Sequence, residues 1–246
     1  MKLFWKKKKP NVIAVMGARG GSKELPGKNI RLMNGKPLIA YSIESGKKSK
    51  YIDKVVVATD DQEIANVSKR YGAEVVLLPP EYATDTAPME PSLKYAVEWI
   101  EKNQNFPVDI MVYLQLTDFF KKPEWIDECI KYLIDHPEVD SCFIGCKEHK
   151  NYWNKEGEKY VKLTTAMYVP RQKKEPVFRE DTGLGAATRA SVIKGGRRLG
   201  DNTMIIEKEY PFFDIHTELD FNILEFVTRN YPNIVRDHYK DYKKHK

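Results

Sequence analysis

Residues 12–29, VIAVMGARGGSKELPGKN, place a short apolar run directly before a glycine-rich, basic loop. The five apolar residues Val12–Met16 indicate a strand that is buried on both faces. The small residues that follow let backbone N–H groups approach an anion closely, and Arg19, Lys23 and Lys28 add positive charge. The spacing fits neither a Walker A loop nor GxGxxG. On composition alone, a phosphate-binding loop and an ordinary glycine-rich turn are equally good interpretations.

Similar apolar runs recur along the chain and alternate with helical patterns. Besides Val12–Met16, strands are predicted at Lys54–Thr59, Glu74–Leu78, Asp109–Gln115 and Val139–Gly145. Helices are predicted at Pro37–Ser45, Asp61–Tyr71, Pro91–Asn103, Pro123–Asp135 and from Thr217 to about Asn230. This alternation is typical of a doubly wound, mostly parallel α/β sheet covered on both faces. Ligands of such sheets bind beyond the carboxyl ends of the strands, where the loops 17–29, 59–61, 79–87 and 115–121 are expected to meet.

Charge and composition predict how the 246 residues are organised. A basic tail is predicted at 1–9, one α/β domain at 10–235 and a second basic tail at 236–246. The stretch from about 150 to 182 is rich in Lys, Tyr, Trp and Pro and alternates weakly, which indicates an arm inserted in the domain. We find no internal repeat and no flexible linker, so a single domain is expected.

Composition also excludes several classes of protein. Once the ten cationic and two anionic side chains of the tails are set aside, the net charge of +6 becomes −2, from 31 cations and 33 anions. A nucleic-acid-binding protein usually carries a basic stripe on the fold itself, so no nucleic acid partner is expected. No run approaches eighteen apolar residues, which predicts no integral membrane association. Three cysteines, an odd number, and the lack of an apolar segment behind the first lysines predict a cytoplasmic protein with reduced thiols.

One string and six further segments carry a resemblance to a known family. The string ARGGSKELPGKN at Ala18–Asn29 resembles the nucleotide signature of the acylneuraminate cytidylyltransferase family, which includes the CMP-sialic acid synthetases. The segments that follow in the family's order are Asn34–Ile43, Val55–Asp60, Pro80–Thr86, Leu114-Gln115, Pro170–Gln172 with Phe178-Arg179, and Asp214–Phe221. Because they extend over almost the entire chain, the resemblance implies that family's Rossmann-like nucleotidyltransferase fold with an inserted dimerisation arm.

The resemblance implies transfer of CMP from CTP to the anomeric hydroxyl of a 2-keto sugar acid, with release of pyrophosphate. The acceptor would be a sialic, legionaminic or related nonulosonic acid. Catalytic roles are implied for Arg19, Lys28 and Asp214. The nucleotide would be bound by Ala18, Arg19, Gly20, Ser22, Lys28, Asn29, Thr84, Asp85 and Gln115. The sugar acid would be bound by Gln115, Arg171, Gln172, Arg179 and His216, and the arm would form a homodimer.

Mg²⁺ is expected at Asp214, because this carboxylate ends a short apolar run and would reach the catalytic edge of the sheet. A helix cap or a turn is the alternative role for this aspartate. The sialic acid synthetases are expected to carry a second aspartate where this chain has His216, and Asp118 introduces a carboxylate nearby. His216 and Asp118 are therefore further candidate metal ligands. His216 is also open to a role in substrate binding, as a base or in packing, and Asp118 to a capping role.

Two other departures from the family leave the substrate open. Leu78 stands where the family typically has an arginine, and Asp181–Ala187 replaces its sugar-pocket segment. One alternative is therefore the same fold with another NTP or a non-sialic acceptor. A second alternative is a catalytically silent nucleotide-binding homologue, which the histidine at 216 favours and the intact loop opposes. Thr84 and Asp85 are explained equally well as caps of the helix that follows.

Overall fold

The described residues form one eight-stranded mixed sheet with helices on both faces, together with two small two-stranded sheets. The structure, a computed structural model, describes residues 9–21, 25–84, 87–163, 169–210 and 213–231. The predicted amino-terminal tail except Lys9, and the whole predicted carboxyl-terminal tail, lie outside these ranges. Among the predicted site residues, Ser22, Asp85 and the side chain of Arg171 also lie outside what is described.

The secondary structure follows the predicted alternation closely in the first half of the chain. The strands are β1 (Val12–Gly17), β2 (Leu32–Met33), β3 (Lys36–Pro37), β4 (Lys54–Thr59), β5 (Glu74–Leu77), β6 (Ile110–Tyr113), β7 (Ser141–Glu148), β8 (Trp153–Glu156), β9 (Lys159–Lys162), β10 (Val177–Glu180), β11 (Ala186–Arg189) and β12 (Thr203–Glu207). The helices are α1 (Leu38–Lys48), α2 (Gln62–Arg70), α3 (Met89–Gln104), α4 (Pro123–Asp135), α5 (Ala190–Lys194) and α6 (Glu218–Asn230).

The central sheet has the strand order β10-β7-β11-β6-β1-β4-β5. β6, β1, β4 and β5 are parallel, whereas β11 runs antiparallel to both β6 and β7. The outer edge of β7 is shared: β12 pairs with its first half in parallel, and β10 pairs with its second half in antiparallel fashion. β1 is central, with Val15 opposite Val56 on one side and Tyr113 on the other.

The apolar run in β1 is long because both faces of this strand are covered. Val12, Ala14 and Met16 pack with α1, α2 and α4 on one face, and Ile13 and Val15 pack with α3 and α5 on the other. All five side chains are fully buried. A strand enclosed in this way is apolar at every position and does not alternate.

A third apolar cluster lies under α6 and fixes the segment before this helix. Phe119 and Phe120, from the segment after β6, pack there with Ile215 and Phe221. Thr217 begins α6 with a capping box to Asp220, in which each residue's side chain accepts from the other's backbone N–H. The segment that carries Asp214 and His216 is thereby held close to the end of β6.

The prediction of a doubly wound, mostly parallel α/β sheet is confirmed. Pro123–Asp135 has the predicted limits, whereas the predicted strand Val139–Gly145 lies at Ser141–Glu148. The antiparallel β11 was not predicted, and β10 is formed by part of the stretch predicted as an arm. Within the described ranges, no helix combines the length and the apolar character needed to cross a bilayer.

Arg189 fastens the sheet to the end of α4. Its Nε donates to the carbonyl of Val139 at 2.8 Å, and its Nη2 donates to the carbonyls of Leu133 and His136 at 2.9 and 3.0 Å. Two of these carbonyls belong to the end of α4, where intrahelical donors run out. One guanidinium at the end of β11 thus satisfies three backbone acceptors.

Arg189→Met keeps much of the side chain's apolar stem and removes all three donors. We expect the free energy of unfolding to fall by about 2–3 kcal/mol, measured by urea denaturation, because hydrogen bonds from a charged donor are lost and their acceptors stay partly buried. Arg197→Met is the matched control, since Arg197 pairs with Asp201 on the exposed surface and its loss should leave stability unchanged. Equal effects of the two substitutions would contradict the role given to Arg189.

Candidate active site

A cavity of about 630 Å³ opens at the carboxyl ends of β1 and β6. Seven of the predicted site residues line it: Ala18, Arg19, Lys28, Asn29, Thr84, Gln115 and His216. These residues come from four separate segments of the chain, as expected where parallel strands end at one edge of a sheet. Among the described lining residues, the charged ones are Arg19, Lys28 and Arg198, and none is acidic. The cavity therefore favours an anionic ligand.

The loop after β1 is held against the end of β4. The N–H of Ala18 donates to the Ala58 carbonyl at 2.9 Å, and the N–H of Gly20 donates to Asp60 Oδ1 at 3.0 Å. A Cβ on Gly20 would lie 2.6 Å from Asp61 Oδ2, so a residue without a side chain is needed at this approach. Asp61 has little freedom to move away, because its carboxylate caps α2.

Two cations of this loop, Arg19 and Lys28, are held by backbone carbonyls. Arg19 Nη1 donates to the carbonyl of Thr84 at 2.9 Å, and Lys28 Nζ donates to the carbonyl of Ile215 at 3.0 Å. The buried amide of Asn29 donates to the Arg19 carbonyl at 2.9 Å and so fixes the loop from inside. Both side chains are thereby held at the cavity, where their positive charge acts on a ligand.

Gln115 belongs to a polar group at the end of β6. The Tyr113 hydroxyl donates to Gln115 Oε1 at 3.0 Å, and Gln115 Nε2 donates to Thr117 Oγ1 at 2.7 Å. The guanidinium of Arg198 lies 5.2 Å from the centroid of the Tyr113 ring. Burial raises the pKa of Tyr113 to about 12, so its hydroxyl keeps its proton at neutral pH.

A second cluster, the buried charge cluster, consists of Asp118, Lys121 and Asp214. Asp118 and Asp214 pair as an isolated antiparallel bridge, and the Lys121 ammonium donates to the Asp118 carbonyl. Burial raises the pKa of Asp118. The positive charge of Lys121 opposes this shift, and the negative charge of Asp214 adds to it. Burial also disfavours the charged form of Lys121, which for an ammonium group lowers the pKa. A Cβ on Gly183 would overlap Asp118 Oδ2 and lie 2.6 Å from Gln115 Cβ, so this cluster touches the cavity wall.

The predicted metal ligands are only partly brought together. Asp214 Oδ2 lies 2.8 Å from His216 Nε2, and Asp214 Oδ1 is buried without a hydrogen-bond partner in the described part of the chain. Among the described residues, no three His, Cys, Asp or Glu side chains converge to hold a metal ion, so Asp118, Asp214 and His216 do not form a complete site. Mg²⁺ is commonly held by one or two carboxylates together with substrate phosphates. The bare Oδ1 of Asp214 fits a metal that arrives with a triphosphate.

The residues predicted on the arm lie apart from the cavity. Arg179, on β10, donates from Nε to Asp181 at 2.9 Å and forms an ion pair with Glu148. It does not line the cavity, and Gln172 is exposed in a short 3-10 turn. The binding roles predicted for both remain predictions.

The comparison with known families decides the assignment. The family described as Cytidylyltransferase matches residues 13–207, from β1 to the end of β12. The chain belongs to the cytidylyltransferase family. Members of this family generally use divalent metal ions.

Several named proteins are similar to this chain in sequence. A CMP-N,N'-diacetyllegionaminic acid synthase of Legionella pneumophila is 42% identical over 123 residues, which is 49% of this chain and 52% of that protein. An N-acylneuraminate cytidylyltransferase of Streptococcus agalactiae is 35% identical over 217 residues, 85% of this chain and 51% of that protein. The chain thus spans about half the length of these two relatives. The post-translational flagellin modification protein B of Campylobacter coli is 28% identical, covering 89% of this chain and 95% of that protein.

Solved structures share the fold at low identity. A CMP:2-keto-3-deoxy-manno-octonic acid synthetase complexed with CTP superposes with a TM-score of 0.69 at 16% identity, covering 89% of this chain and 99% of the other. A 4-diphosphocytidyl-2C-methyl-D-erythritol synthase from Anaerococcus prevotii gives 0.65 at 13% identity, covering 90% and 97%. These likenesses agree with the nucleotidyltransferase fold expected for this cytidylyltransferase family member.

Among the cavity-lining residues that sequence reasoning missed are Tyr113 and Arg198. For Tyr113 a signal was present: it lies two positions before Gln115 on a predicted strand, and such residues share a face. For Arg198 there was none, because it lies in the turn after α5 and reaches the cavity only through its long side chain.

Proposed function

We propose that this protein transfers CMP from CTP to the anomeric hydroxyl of a 2-keto sugar acid, releasing pyrophosphate. The observation that carries the proposal is the cavity, whose charged lining residues in the described part of the chain are the cations Arg19, Lys28 and Arg198. Both substrates are anions, so such a lining favours them over neutral metabolites. The substrate classes are suggested by the printed names of relatives, a legionaminic acid synthase and an N-acylneuraminate cytidylyltransferase.

In the proposed reaction the anomeric oxygen attacks the α-phosphorus. The bond between that phosphorus and the oxygen bridging to the β-phosphate breaks, pyrophosphate leaves with the electron pair, and the hydroxyl proton passes to solvent. Such a displacement depends on positioning and on neutralising charge more than on a covalent nucleophile. Arg19 and Lys28 are suited to this task because backbone carbonyls already hold both side chains at the cavity.

The contacts support a division of the cavity into two sides. The loop after β1 is hydrogen-bonded to Asp60, after β4, and to the Thr84 carbonyl, after β5. We therefore place the nucleotide on the β4 and β5 side of the cavity. Gln115 lies on the other side of the cavity. Its backbone N–H donates to the carbonyl of Gly183, just before β11, at 2.9 Å. The acceptor would therefore lie against Gln115, whose backbone is bonded to the segment 181–187.

The divalent ion is proposed to be Mg²⁺, held by Asp214 with Asp118 as the second carboxylate. When bound with the triphosphate, the ion would neutralise charge on the phosphate oxygens. Asp214 Oδ1 supports this role, because it is buried and without a hydrogen-bond partner in the described residues. His216 keeps the same carboxylate in place through its 2.8 Å contact to Oδ2.

A second candidate is the same transfer with another NTP. Leu78, just after β5, lines the cavity at a position where the family resemblance predicts an arginine. A leucine cannot make the contact to the base that is expected of this arginine. This observation favours testing every common nucleotide and not CTP alone.

We also propose a cytoplasmic homodimer. Trp153 and Tyr160 on the β8–β9 hairpin and Leu163 just after it are 52%, 64% and 62% exposed, and Phe178 on β10 is also exposed. An apolar surface of this kind is typical of a protein interface. The three cysteines are free thiols, as expected in the cytoplasm.

The proposed function is tested by measuring pyrophosphate release with each of the four NTPs and a panel of keto sugar acids. We expect release with CTP and a nonulosonic acid. Lys28→Ala should then lower turnover by about 100-fold or more, because one cation of the transition state is lost. Lys54→Ala, a half-buried lysine paired with Glu74 at the opposite edge of the sheet, should keep full activity. Release with another NTP alone would favour the second candidate, and no release at all would favour a silent homologue.

The metal ligands are separated by Mg²⁺ titration of activity. Asp214→Asn keeps the shape and removes a charge, so activity should collapse and excess metal should not restore it. Asp118→Asn should raise the Mg²⁺ requirement, and His216→Asp should preserve or lower it, because a carboxylate is the harder ligand. An unchanged requirement in Asp118→Asn would show that Asp118 has a structural role only. Loss of activity in His216→Asp would show a separate task for the imidazole.

The homodimer is tested by light scattering at micromolar concentration. We expect twice the mass of one chain for the wild type and a shift toward the monomer mass for Tyr160→Glu, since a charge would enter the apolar surface. Leu77→Glu, at an exposed site on β5, is the control and should stay dimeric. A monomer mass for the wild type would contradict the proposal, as would recovery of the protein with membranes after lysis.

A further inference from the structure

A line of polar side chains runs along one wall of the cavity and ends at Gln115. Glu90, in the first turn of α3, lies 3.6 Å from Arg198 Nε. The guanidinium of Arg198 lies over Tyr113, 5.2 Å from the ring centroid. The Tyr113 hydroxyl donates to Gln115 Oε1 at 3.0 Å, and Gln115 Nε2 donates to Thr117 Oγ1 at 2.7 Å. Residues from α3, from the turn after α5 and from β6 thus form one line that ends at this amide.

The line has a direction, which follows from the donors and acceptors available. The guanidinium of Arg198 brings its positive charge to the face of the Tyr113 ring, 5.2 Å from the centroid, which is a cation–π contact. A positive charge beside the ring strengthens the phenol O–H as a donor, and this O–H donates to Gln115 Oε1. A side-chain amide can be turned by 180°, and a donor facing it selects the orientation with Oε1 toward the donor. The nitrogen of Gln115 is thereby turned to the opposite side.

We propose that Arg198 and Tyr113 are positioning residues that hold Gln115 with its amide nitrogen toward the acceptor substrate. One N–H of this nitrogen donates to Thr117, and the second is left to donate to a ligand in the cavity. This part of the site then selects an oxygen that accepts a hydrogen bond, such as a hydroxyl, carbonyl or carboxylate oxygen of the sugar acid. The identity of that ligand rests on the proposed function, whereas the orientation of the amide does not.

Both ends of the line are anchored, so the orientation is stable. Tyr113 is 3% exposed and lies in β6 between β1 and β11. The high pKa that burial gives its hydroxyl keeps this group a donor at neutral pH. At the other end, the Arg198 carbonyl accepts from Thr188 Oγ1 at 2.8 Å, and the Arg198 side chain pairs with Glu90.

The first test uses the ligand-free protein and needs no activity. In a ¹H–¹⁵N spectrum, the side-chain amide of Gln115 is assigned by its disappearance in Gln115→Ala. We expect this signal to shift in Tyr113→Phe and in Arg198→Met, because each removes one link of the line. Two matched controls should leave it in place: Tyr132→Phe, on α4 and stacked on His136, and Arg197→Met, the neighbouring arginine that pairs with Asp201. An unmoved signal in Tyr113→Phe would overturn the proposal.

The second test is a double-mutant cycle on the KM of the sugar acid. Tyr113→Phe and Arg198→Met should each raise this KM about tenfold with kcat within about twofold, as expected when an interaction that binds substrate and transition state equally is weakened. In a Gln115→Ala background neither change should have a further effect, because the residue through which they act is gone. Effects that persist in that background would show a merely structural role and overturn the proposal. Absence of turnover in the wild type would refute the proposed function instead, and the spectrum would still decide the orientation of Gln115.

Discussion

The burial of β1 between two parallel neighbours is the constraint on which the candidate site depends. Its apolar side chains are enclosed on both faces, so the strand has one position and its carboxyl end points to one edge of the sheet. The loop that leaves this end passes so close to α2 that a Cβ on Gly20 would meet Asp61. Backbone N–H groups and two cations are thus presented at the mouth of the cavity because of packing that lies well below it.

The charges of the site are separated by sign, and this separation follows from the cost of burying them. The described lining of the cavity is cationic, whereas Asp118 and Asp214 lie beside it in the buried charge cluster. Two carboxylates inside the cavity would repel a triphosphate. Two carboxylates buried in the fold without a nearby cation would not both ionise, because burial and their mutual repulsion penalise the charged forms. Lys121 compensates part of their charge from within the fold. The cluster therefore keeps carboxylate oxygens near the cavity without making its lining negative.

The parts of the fold that sequence predicts are those in which burial follows a regular pattern along the chain. β1 and β4 are covered on both faces, so their apolar runs are unbroken, and α4 buries one apolar face at regular spacing. The positions of all three were predicted within a residue. β11 reads Ala-Ala-Thr-Arg, and its two alanines, which are depleted in strands, gave no signal, although all but Arg189 are fully buried. Its antiparallel direction depends on pairing with both β6 and β7, which no local pattern expresses. The same distinction applies to the residues of the site. Arg19, Lys28 and Asn29 belong to the loop that follows a predicted strand, so they were predicted, whereas Arg198 reaches the cavity from the turn after α5 and was not.

Leu78 and Arg198 together show why a site cannot be compared position by position. Leu78 is 9% exposed and packs in the same apolar cluster as Tyr113, so the wall at that point has no charge. A cation nevertheless lines the same cavity, carried by the turn after α5. Charge acts over several ångströms and can be supplied from more than one element, whereas a hydrogen bond requires its donor at a fixed place and angle. An arginine that moves to another element therefore preserves the attraction for an anion while changing which groups it can orient, and in this chain the group within its reach is the phenol of Tyr113.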